Sequence, residues 1–141
     1  MTSTLRRLIF LGGALVLVGC QSAAPGSDQK FSSIDPGETI RFVGTEPFWG
    51  GQVQGRTLTY STPENIEGQR IAVERFAGNH GLGFSGTLNG RPFDMTVTQG
   101  ECSDGMSDQL FPFTVTLRIG DEVRNGCAHT DSRPVEGPAQ P

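Results

Sequence analysis

The side chains best suited to nucleophilic or acid–base chemistry are Ser85, His80 and Asp94, together with Glu46. A serine hydrolase needs a serine that is activated by a histidine, which a carboxylate orients. However, Ser85 lies in residues 83–87, GFSGT, which lack the G-x-S-x-G spacing and alternate like a strand. Glu46 has no second carboxylate or nucleophile near it in the sequence. We therefore predict that the protein is not an enzyme and uses no cofactor.

The densest group of oxygen ligands is the loop at residues 103–108, which holds Asp104 and Asp108, two serines and a glycine. Such oxygens suit Ca²⁺, but the loop lacks the repeated ligand spacing and the distal bidentate glutamate of an EF-hand. Ser103 and Asp104 are also good turn and N-cap residues, and Gly105 permits a positive φ. The pattern favours a tight turn over a metal site, and it leaves Asp104 and Asp108 as candidate binding residues.

Residues 1–19 have the pattern of a secretory signal peptide, in which Arg6 and Arg7 precede the apolar run 8–18. The alternative interpretation is a transmembrane helix. That run is shorter than the ~20 apolar residues that a membrane-spanning helix needs, so we predict a cleaved signal.

The signal ends in Leu17-Val18-Gly19-Cys20, which resembles the lipobox of bacterial lipoproteins. In those proteins the cysteine thiol receives a diacylglyceryl group, the peptide is cut before it, and the new amine is acylated. The resemblance implies that Cys20 is a lipid anchor. Gln21 stands where an aspartate often retains lipoproteins at the inner membrane, which implies the periplasmic face of the outer membrane.

With Cys20 acylated, Cys102 and Cys127 remain as a pair in an oxidising compartment, where such pairs usually form disulfides. Closing a loop of this size stabilises a fold by roughly 3–4 kcal/mol on the chain-entropy model. The alternative is a zinc site that adds His80 and His129. Because Cys127 and His129 lack the usual spacing of zinc ligands, we predict the disulfide and no metal.

The chain from Thr39 to Ala128 consists of short alternating segments, without an apolar period of 3.6 residues long enough for a substantial helix. The alternation predicts these inward-facing residues: Ile40, Phe42, Leu58, Tyr60, Ile71, Val73, Leu82, Phe84, Leu88, Phe93, Met95, Val97, Phe113, Val115, Leu117 and Ile119. Asn89-Gly90 predicts a type I′ hairpin turn. The predicted fold is all-β: a small antiparallel β-barrel, or a barrel-like sandwich, of seven to eight short strands with one disulfide.

Composition divides the chain into four parts. We predict a signal peptide at 1–19, a flexible tether at 20–37, a β-barrel domain at 38–129 and a disordered, proline-rich tail at 130–141. The chain without its signal has 122 residues, which is enough for one domain.

The chain that remains after cleavage is acidic. Two of the eleven basic residues, Arg6 and Arg7, lie in the signal, and none of the fifteen acidic residues does, so nine positive charges meet fifteen negative ones and the net charge is −6. This balance argues against binding to nucleic acid and against electrostatic attachment to anionic lipid. Attachment to the membrane then depends on the acyl chains.

The only tryptophan, Trp49, lies in residues 44–50, GTEPFWG. One interpretation is an exposed aromatic patch in which Glu46, Phe48 and Trp49 bind a ligand. The other is that Trp49 plugs one end of the barrel, with its indole N–H bonded to a carbonyl. The second interpretation is favoured, and the three residues remain candidate binding residues.

Three stretches carry a resemblance: GTEPFWG at 44–50, ECSDGMSD at 101–108 and NGCA at 125–128. They resemble the motifs of a family of uncharacterised bacterial envelope proteins, most of them lipoproteins. The similarity spans about residues 40–128. The sequence also resembles the META domain, a small β-rich envelope module in which a cysteine-containing loop follows a strand. The resemblance implies a fold and a compartment, and it implies no activity.

The sequence supports three functional hypotheses. The first is a binding or envelope-maintenance lipoprotein that recognises a periplasmic protein through its aromatic and acidic loops. The second is an inhibitor of cationic lysozyme, because acidic charge at Asp104 and Asp108 would speed association. The serine–lysine loop motifs of known membrane-bound inhibitors are not found, and Lys30 is the only lysine after the signal.

The third hypothesis is a carrier of lipid or another small apolar ligand inside an open barrel. The apolar interior would come from Phe84, Phe93, Met95, Phe113 and Val115. The alternative is a filled interior, because small barrels normally fill themselves with side chains.

Overall fold

The computed structural model describes residues 30–138. Eight strands form in this range: β1 (Thr39–Thr45), β2 (Phe48–Gln54), β3 (Thr57–Thr62), β4 (Asn65–Ala77), β5 (Gly81–Leu88), β6 (Arg91–Ser103), β7 (Leu110–Ile119) and β8 (Glu122–His129). Each strand pairs antiparallel with its neighbours in the chain, and β8 pairs with β1, so the sheet closes into a barrel. The all-β barrel and its single disulfide, Cys102–Cys127, are confirmed.

Strand alternation fills the barrel, because successive side chains of a strand point to opposite faces of the sheet. All the residues predicted to face inward are buried, with at most 7% of their surface exposed. The largest side chains with less than 2% exposure include Phe84, Phe93 and Phe113, from three neighbouring strands. The predicted hairpin turn between β5 and β6 is also present, and Asn89 and Gly90 have φ values of 50° and 78°.

The barrel closes through a short seam between β1 and β8. These strands pair at three positions, Arg41↔His129, Phe42↔Ala128 and Val43↔Cys127, whereas β7 and β8 pair at seven. Beyond Val43 the two strands separate. In the described part of the chain, the first five residues of β8 therefore pair with β7 alone.

The two ends of the barrel are named here by their contents. The tryptophan end carries the turns after β1, β3, β5 and β7 and lies next to Trp49. The entry end carries the turns after β2 and β4, and the β6–β7 hairpin also leaves the barrel from that side before it bends towards β8. The described chain begins at the entry end, at Lys30. Residues 31–34 pack on the entry end: the amide of Phe31 donates to the carbonyl of Gly78 at 2.7 Å, and Ile34 is only 2% exposed.

Two boundaries predicted from composition need correction within the described range. Residues 30–37 were predicted as tether, but Ile34 belongs to the core cluster. Residues 130–138 were predicted as disordered tail, but Leu110 and Glu136 exchange two backbone hydrogen bonds, of 2.8 and 2.9 Å, and Thr130 is fully buried. Ile34, with Phe31 packed against the core beside it, covers the end of the barrel, and the backbone of Leu110 binds a polar segment of the tail. Average composition reports neither effect.

The predictions for the signal peptide, Cys20 and the first part of the tether fall on residues 1–29, outside the described residues, as does the end of the tail at 139–141. Within residues 30–138, no helix is long and apolar enough to cross a membrane.

Candidate functional site

The three sequence motifs meet on one side of the tryptophan end. The hydroxyl of Thr45 donates to the carbonyl of Asp104 at 3.1 Å, which joins the first motif to the second. The disulfide between Cys102 and Cys127 joins the second to the third, with an S–S distance of 2.01 Å. A groove of about 280 Å³ lies between them and is called the three-motif groove. Its lining residues are Val43, Gly44, Thr45, Cys102, Ser103, Asp104, Thr114, Val115, Thr116, Asn125, Gly126 and Cys127.

The disulfide connects strands that are not neighbours, because β7 lies between β6 and β8. The Cα atoms of Cys102 and Cys127 are nevertheless only 5.6 Å apart. The pairing of β6 with β7 shifts register between Gln99 and Cys102, and an irregularity of this kind bends a strand. The bend carries the end of the β6–β7 hairpin towards β8, where the disulfide holds it.

The loop between β6 and β7 is the tight turn that its sequence predicts. One carboxylate oxygen of Asp104 accepts hydrogen bonds from the amides of Met106 and Ser107, at 2.9 and 2.8 Å, and the other accepts from the Ser107 hydroxyl at 2.9 Å. Gly105 has a φ of 72°. The hydrogen bond from the Met106 amide contributes most to lowering the pKa of Asp104. The Asp104 carboxylate therefore shapes the loop, while Asp108 is exposed.

Metal binding receives no support from the same region. Within residues 30–138, no group of three or more His, Cys, Asp or Glu side chains is arranged to hold a metal ion. Both cysteines of the alternative zinc site are in the disulfide.

Trp49 occupies the inside of the barrel and is 3% exposed. It pairs with Gly44 across the β1–β2 hairpin, and a Cβ added to Gly44 would lie 2.0 Å from the indole Nε1. A Cβ on Gly126 of β8 would lie 2.9 Å from Cζ2 of the same ring. Glycine within a strand often marks such a close approach. Glycines of the first and third motifs therefore form the seat of the tryptophan.

The prediction that the indole N–H bonds to a carbonyl is wrong. Within the described residues, Nε1 of Trp49 is buried and has no hydrogen-bond partner. Nε1 instead faces Gly44, where an added Cβ would lie 2.0 Å away, and glycine has no side chain that could accept the hydrogen bond. No described carbonyl accepts it either.

An aromatic layer and one arginine close the interior at this end. The ring of Trp49 lies 6.4 Å from that of Tyr60, which lies 5.8 Å from the ring of Phe93. Arg124 donates to the Tyr60 hydroxyl at 2.5 Å and to Glu122 at 3.0 Å. Burial raises the pKa of Tyr60, and the positive charge of Arg124 opposes this shift.

Arg124 is a residue that the sequence reasoning missed. It has the same parity along β8 as the buried Ala128, so it points inward, and its side chain remains 20% exposed. The strand pattern could have revealed it: an arginine that points inward two residues after the start of β8 predicts a polar contact near the end of the barrel.

A second groove lies beside the first, between the β1–β2 and β3–β4 hairpins. Two large apolar side chains are exposed there, Phe48 at 52% and Ile66 at 81%. The groove has a volume of about 240 Å³ and is called the Phe48–Ile66 groove. Its lining residues are Val43, Gly44, Phe48, Trp49, Gly50, Ser61, Thr62, Pro63 and Ile66.

The candidate binding residues of the first motif fall into two groups, exposed and buried. Phe48 is exposed at the rim of this groove and Glu46 is exposed beside it in the chain, whereas Trp49 forms its buried side. Ile66 was missed by the sequence reasoning. Its signal was that it is the only large apolar residue in the polar stretch 63–69, PENIEGQ.

Ser85, His80 and Asp94 do not form a triad. The Ser85 hydroxyl donates to Asp94 at 2.7 Å across β5 and β6, on the outer face of the barrel. His80 is exposed in the turn before β5. Five residues of extended chain correspond to ~16 Å, too far for a hydrogen bond between His80 and Ser85.

Comparisons with protein-family models, with curated proteins and with solved structures found no match. The candidate site is therefore defined by the geometry of this chain, in which the three-motif groove lies on the barrel wall and shares Val43 and Gly44 with the Phe48–Ile66 groove.

Proposed function

We propose that the protein is a periplasmic lipoprotein of the outer membrane whose barrel binds a partner protein at the tryptophan end. The observation that carries this proposal is the exposure of Phe48 and Ile66 on a groove whose floor is well packed. Large apolar side chains exposed together, with polar residues around them, mark interaction sites in soluble domains.

The position of the chain entry supports the choice of this end. If Cys20 carries the lipid, the ten residue-to-residue steps from Cys20 to Lys30 span at most about 35 Å. This segment joins the barrel at the entry end, next to Gly78. The opposite end, with Phe48 and Ile66, is then free to meet a partner.

The two alternative functions receive less support. Asp104, one of the acidic residues that suggested a lysozyme inhibitor, uses its carboxylate within its own loop. Phe84, Phe93 and Phe113, which suggested a ligand carrier, are at most 1% exposed and belong to one core cluster, as expected for a filled interior. A turbidity assay with c-type, g-type and i-type lysozymes tests the inhibitor: no slowing at micromolar protein rejects it.

The lipid anchor is tested by cell fractionation with and without globomycin, which blocks cleavage of lipoprotein signals. We expect the untreated protein in the outer-membrane fraction and an unprocessed form after treatment. A soluble protein of processed mass despite the drug would remove the anchor from the proposal. A Cys20→Ser variant is the matched control.

The binding end is tested by photo-crosslinking in living cells. A benzoylphenylalanine placed at position 48 or 66 should yield a crosslinked protein band. The same group at Thr96, which is exposed on the outer face of β6, should not. Bands of equal strength at all three positions, or no band at 48 and 66, would reject the tryptophan end as the binding surface.

A further inference from the structure

We infer that the Phe48–Ile66 groove binds a cationic protein surface, with an apolar side chain of the partner in the groove and its lysines or arginines facing an acidic rim. The name acidic rim is used for Glu46, Glu64 and Glu67, which are exposed and lie within two residues of a lining residue in the chain. This inference rests on the proposed function and names the chemistry of the partner.

The apolar half of the site is a hollow between two hairpins. Trp49 faces inward and forms the buried side of the hollow. Gly50 and Ser61, which pair across β2 and β3, add little bulk to the outer face. Phe48 and Ile66 rise on either side as the exposed large side chains. A shape of this kind accepts one apolar side chain of a partner, which is how a central anchor residue contributes to many interfaces.

The charged half of the site is one-sided. Glu46 directly precedes Pro47-Phe48 in the chain, and Glu64 and Glu67 lie two residues before and one residue after Ile66. The stretches 43–50 and 61–69, which contain all of the lining residues, hold these three carboxylates and no lysine or arginine.

Within residues 30–138, the rim carboxylates form no ion pair. The ion pairs within residues 30–138 use other acidic residues, namely Glu74, Glu122 and Asp131. Three exposed carboxylates that are close in the chain to the lining residues of an apolar groove give this region a negative charge, which is complementary to an apolar residue surrounded by basic ones.

The same charges argue against the other occupants of such a groove. A second copy that placed its groove on this one would bring two acidic rims together, and like charges across an interface are unfavourable. An anionic membrane surface is repelled for the same reason. Residues 20–29 contain Asp28 and no leucine, isoleucine, valine, methionine or aromatic residue, so this part of the chain does not match the groove.

The inference is tested with a defined probe and the full-length protein in non-ionic detergent. The probe is a fluorescent synthetic peptide of alternating lysine and leucine, and the matched neutral probe is the same peptide with its lysines acetylated. Binding is measured by fluorescence anisotropy at about 10 mM and about 150 mM salt, between which the Debye length falls from about 30 to about 8 Å. We expect the cationic probe to bind at low salt, and binding to weaken about tenfold or more at high salt or on acetylation.

Variants in which carboxylates are replaced by amides distinguish the effect of the rim charges from the effect of the protein's net charge. The triple variant Glu46→Gln, Glu64→Gln, Glu67→Gln should weaken binding of the cationic probe about tenfold. A control triple with the same change in net charge, Glu74→Gln, Asp94→Asn, Glu101→Gln, alters exposed residues of β4 and β6 and should change it less than about twofold.

The results that overturn the inference are distinct. Equal binding of the two probes, or equal loss in the two triple variants, would reject a cationic partner for this groove. Binding to phosphatidylglycerol vesicles that is lost in Phe48→Ser/Ile66→Ser would assign the groove to a membrane. Concentration-dependent dimers in sedimentation that are lost in the same variant would assign it to a second copy.

Failure of this inference and failure of the proposed function give different results. A crosslink at position 48 that persists in the rim triple variant would keep the binding function and reject the cationic partner. No crosslink at positions 48 and 66 would reject the binding function itself.

Discussion

The two ends of the barrel are finished in different ways. At the entry end, residues 31–34 pack on the barrel, where Ile34 is 2% exposed, and Glu136 pairs with Leu110 at the start of β7. At the tryptophan end, the buried layer of Trp49 and Tyr60 closes the interior, yet Phe48 and Ile66 remain exposed above it. Ile34, with Phe31 packed against the core beside it, covers the entry end. Phe76, near the end of β4, is also exposed, at 59%, but Phe48 and Ile66 differ from it because they line one groove together.

The two ends also differ in whether their acidic side chains have partners within the chain. At the entry end, Arg41 pairs with Asp131 at 2.7 Å, and Glu38 accepts hydrogen bonds from the amides of Asp35 and Ser132, at 3.0 and 3.3 Å. The hydrogen bond with the Ser132 side chain contributes most to lowering the pKa of Glu38. The acidic rim at the tryptophan end has no such internal partners among the described ion pairs. Within residues 30–138, Glu38 and Asp131 therefore have partners in the chain, whereas Glu46, Glu64 and Glu67 take part in none of the ion pairs.

The largest effect is expected from the tryptophan seat. Trp49→Ala should lower the free energy of unfolding by about 3–5 kcal/mol, because it removes a buried aromatic side chain and leaves a cavity. Gly44→Ala should cost about 1–3 kcal/mol in the native protein, since its Cβ overlaps the ring. Urea unfolding measures both, and a double-mutant cycle should show that the cost of Gly44→Ala shrinks in the Trp49→Ala background. Strictly additive costs would contradict the seat.

The disulfide should come next. Cys102→Ser/Cys127→Ser should lower the free energy of unfolding by about 2–5 kcal/mol. It should also speed amide hydrogen exchange in the β6–β7 loop, at Met106 and Ser107, while exchange at Phe31 stays slow. Two free thiols from Cys102 and Cys127 in the unfolded, unreduced protein would contradict the bond and reopen the zinc alternative.

A smaller effect is expected at the entry end. Ile34→Ala should lower the free energy of unfolding by about 2 kcal/mol or more, because its side chain is part of the core. Ser32→Ala, at an exposed position two residues away, is the matched control and should change little. If both substitutions had equally small effects, the predicted flexible tether up to residue 37 would be supported, and the packing of Ile34 on the entry end would be contradicted.

The entry end should also respond to pH. Burial, with the nearby charge of Arg41, lowers the pKa of His129 from its ordinary value of 6.5. The unfolded chain then binds a proton more readily than the folded one, so the free energy of unfolding should fall as the pH drops below about 6.5. His129→Gln should flatten this part of the urea-midpoint profile, and His80→Gln, at an exposed position, should not. Identical profiles for both variants would exclude His129 as the cause.

The smallest effect on stability is expected for Phe48→Ser/Ile66→Ser, the variant that should reduce binding most. Phe48→Ser/Ile66→Ser changes two exposed side chains, so the free energy of unfolding should stay within about 0.5 kcal/mol of the native value. Crosslinking from a benzoylphenylalanine at position 64, on the rim of the same groove, should be lost in this variant. A destabilisation comparable to that of Ile34→Ala would show that these residues cover the tryptophan end in the way that Ile34 covers the other.

Much of the fold could be predicted because it depends on local pattern. Side chains alternate between the faces of a strand, so the spacing of Phe113, Val115 and Leu117 already indicated a shared buried face. Asn89-Gly90 adopts positive φ by itself and therefore marked its turn. The order of Asp104, Gly105 and Ser107 likewise predicted a turn, since the hydrogen bonds involved reach only three residues along the chain.

The candidate site was only partly predictable. Phe48 and Glu46 were named from their motif, and they lie at the Phe48–Ile66 groove or next to it in the chain. Ile66 was not, because a lone apolar residue in a polar stretch has the same composition whether it is buried, exposed by chance or part of a groove. Ile34 was missed for the same reason, although it is buried.

The sequence by itself determined the alternation, the turns and the supply of two cysteines for one bond, since each depends on residues close together in the chain. The closed barrel decided that Gly44 and Gly126 form the seat of Trp49 and that three motifs spread over residues 44–128 share one side. It also decided which end is covered and which is open. Those contacts depend on strand register and on the bend of the β6–β7 hairpin, which bring together atoms that no local pattern relates.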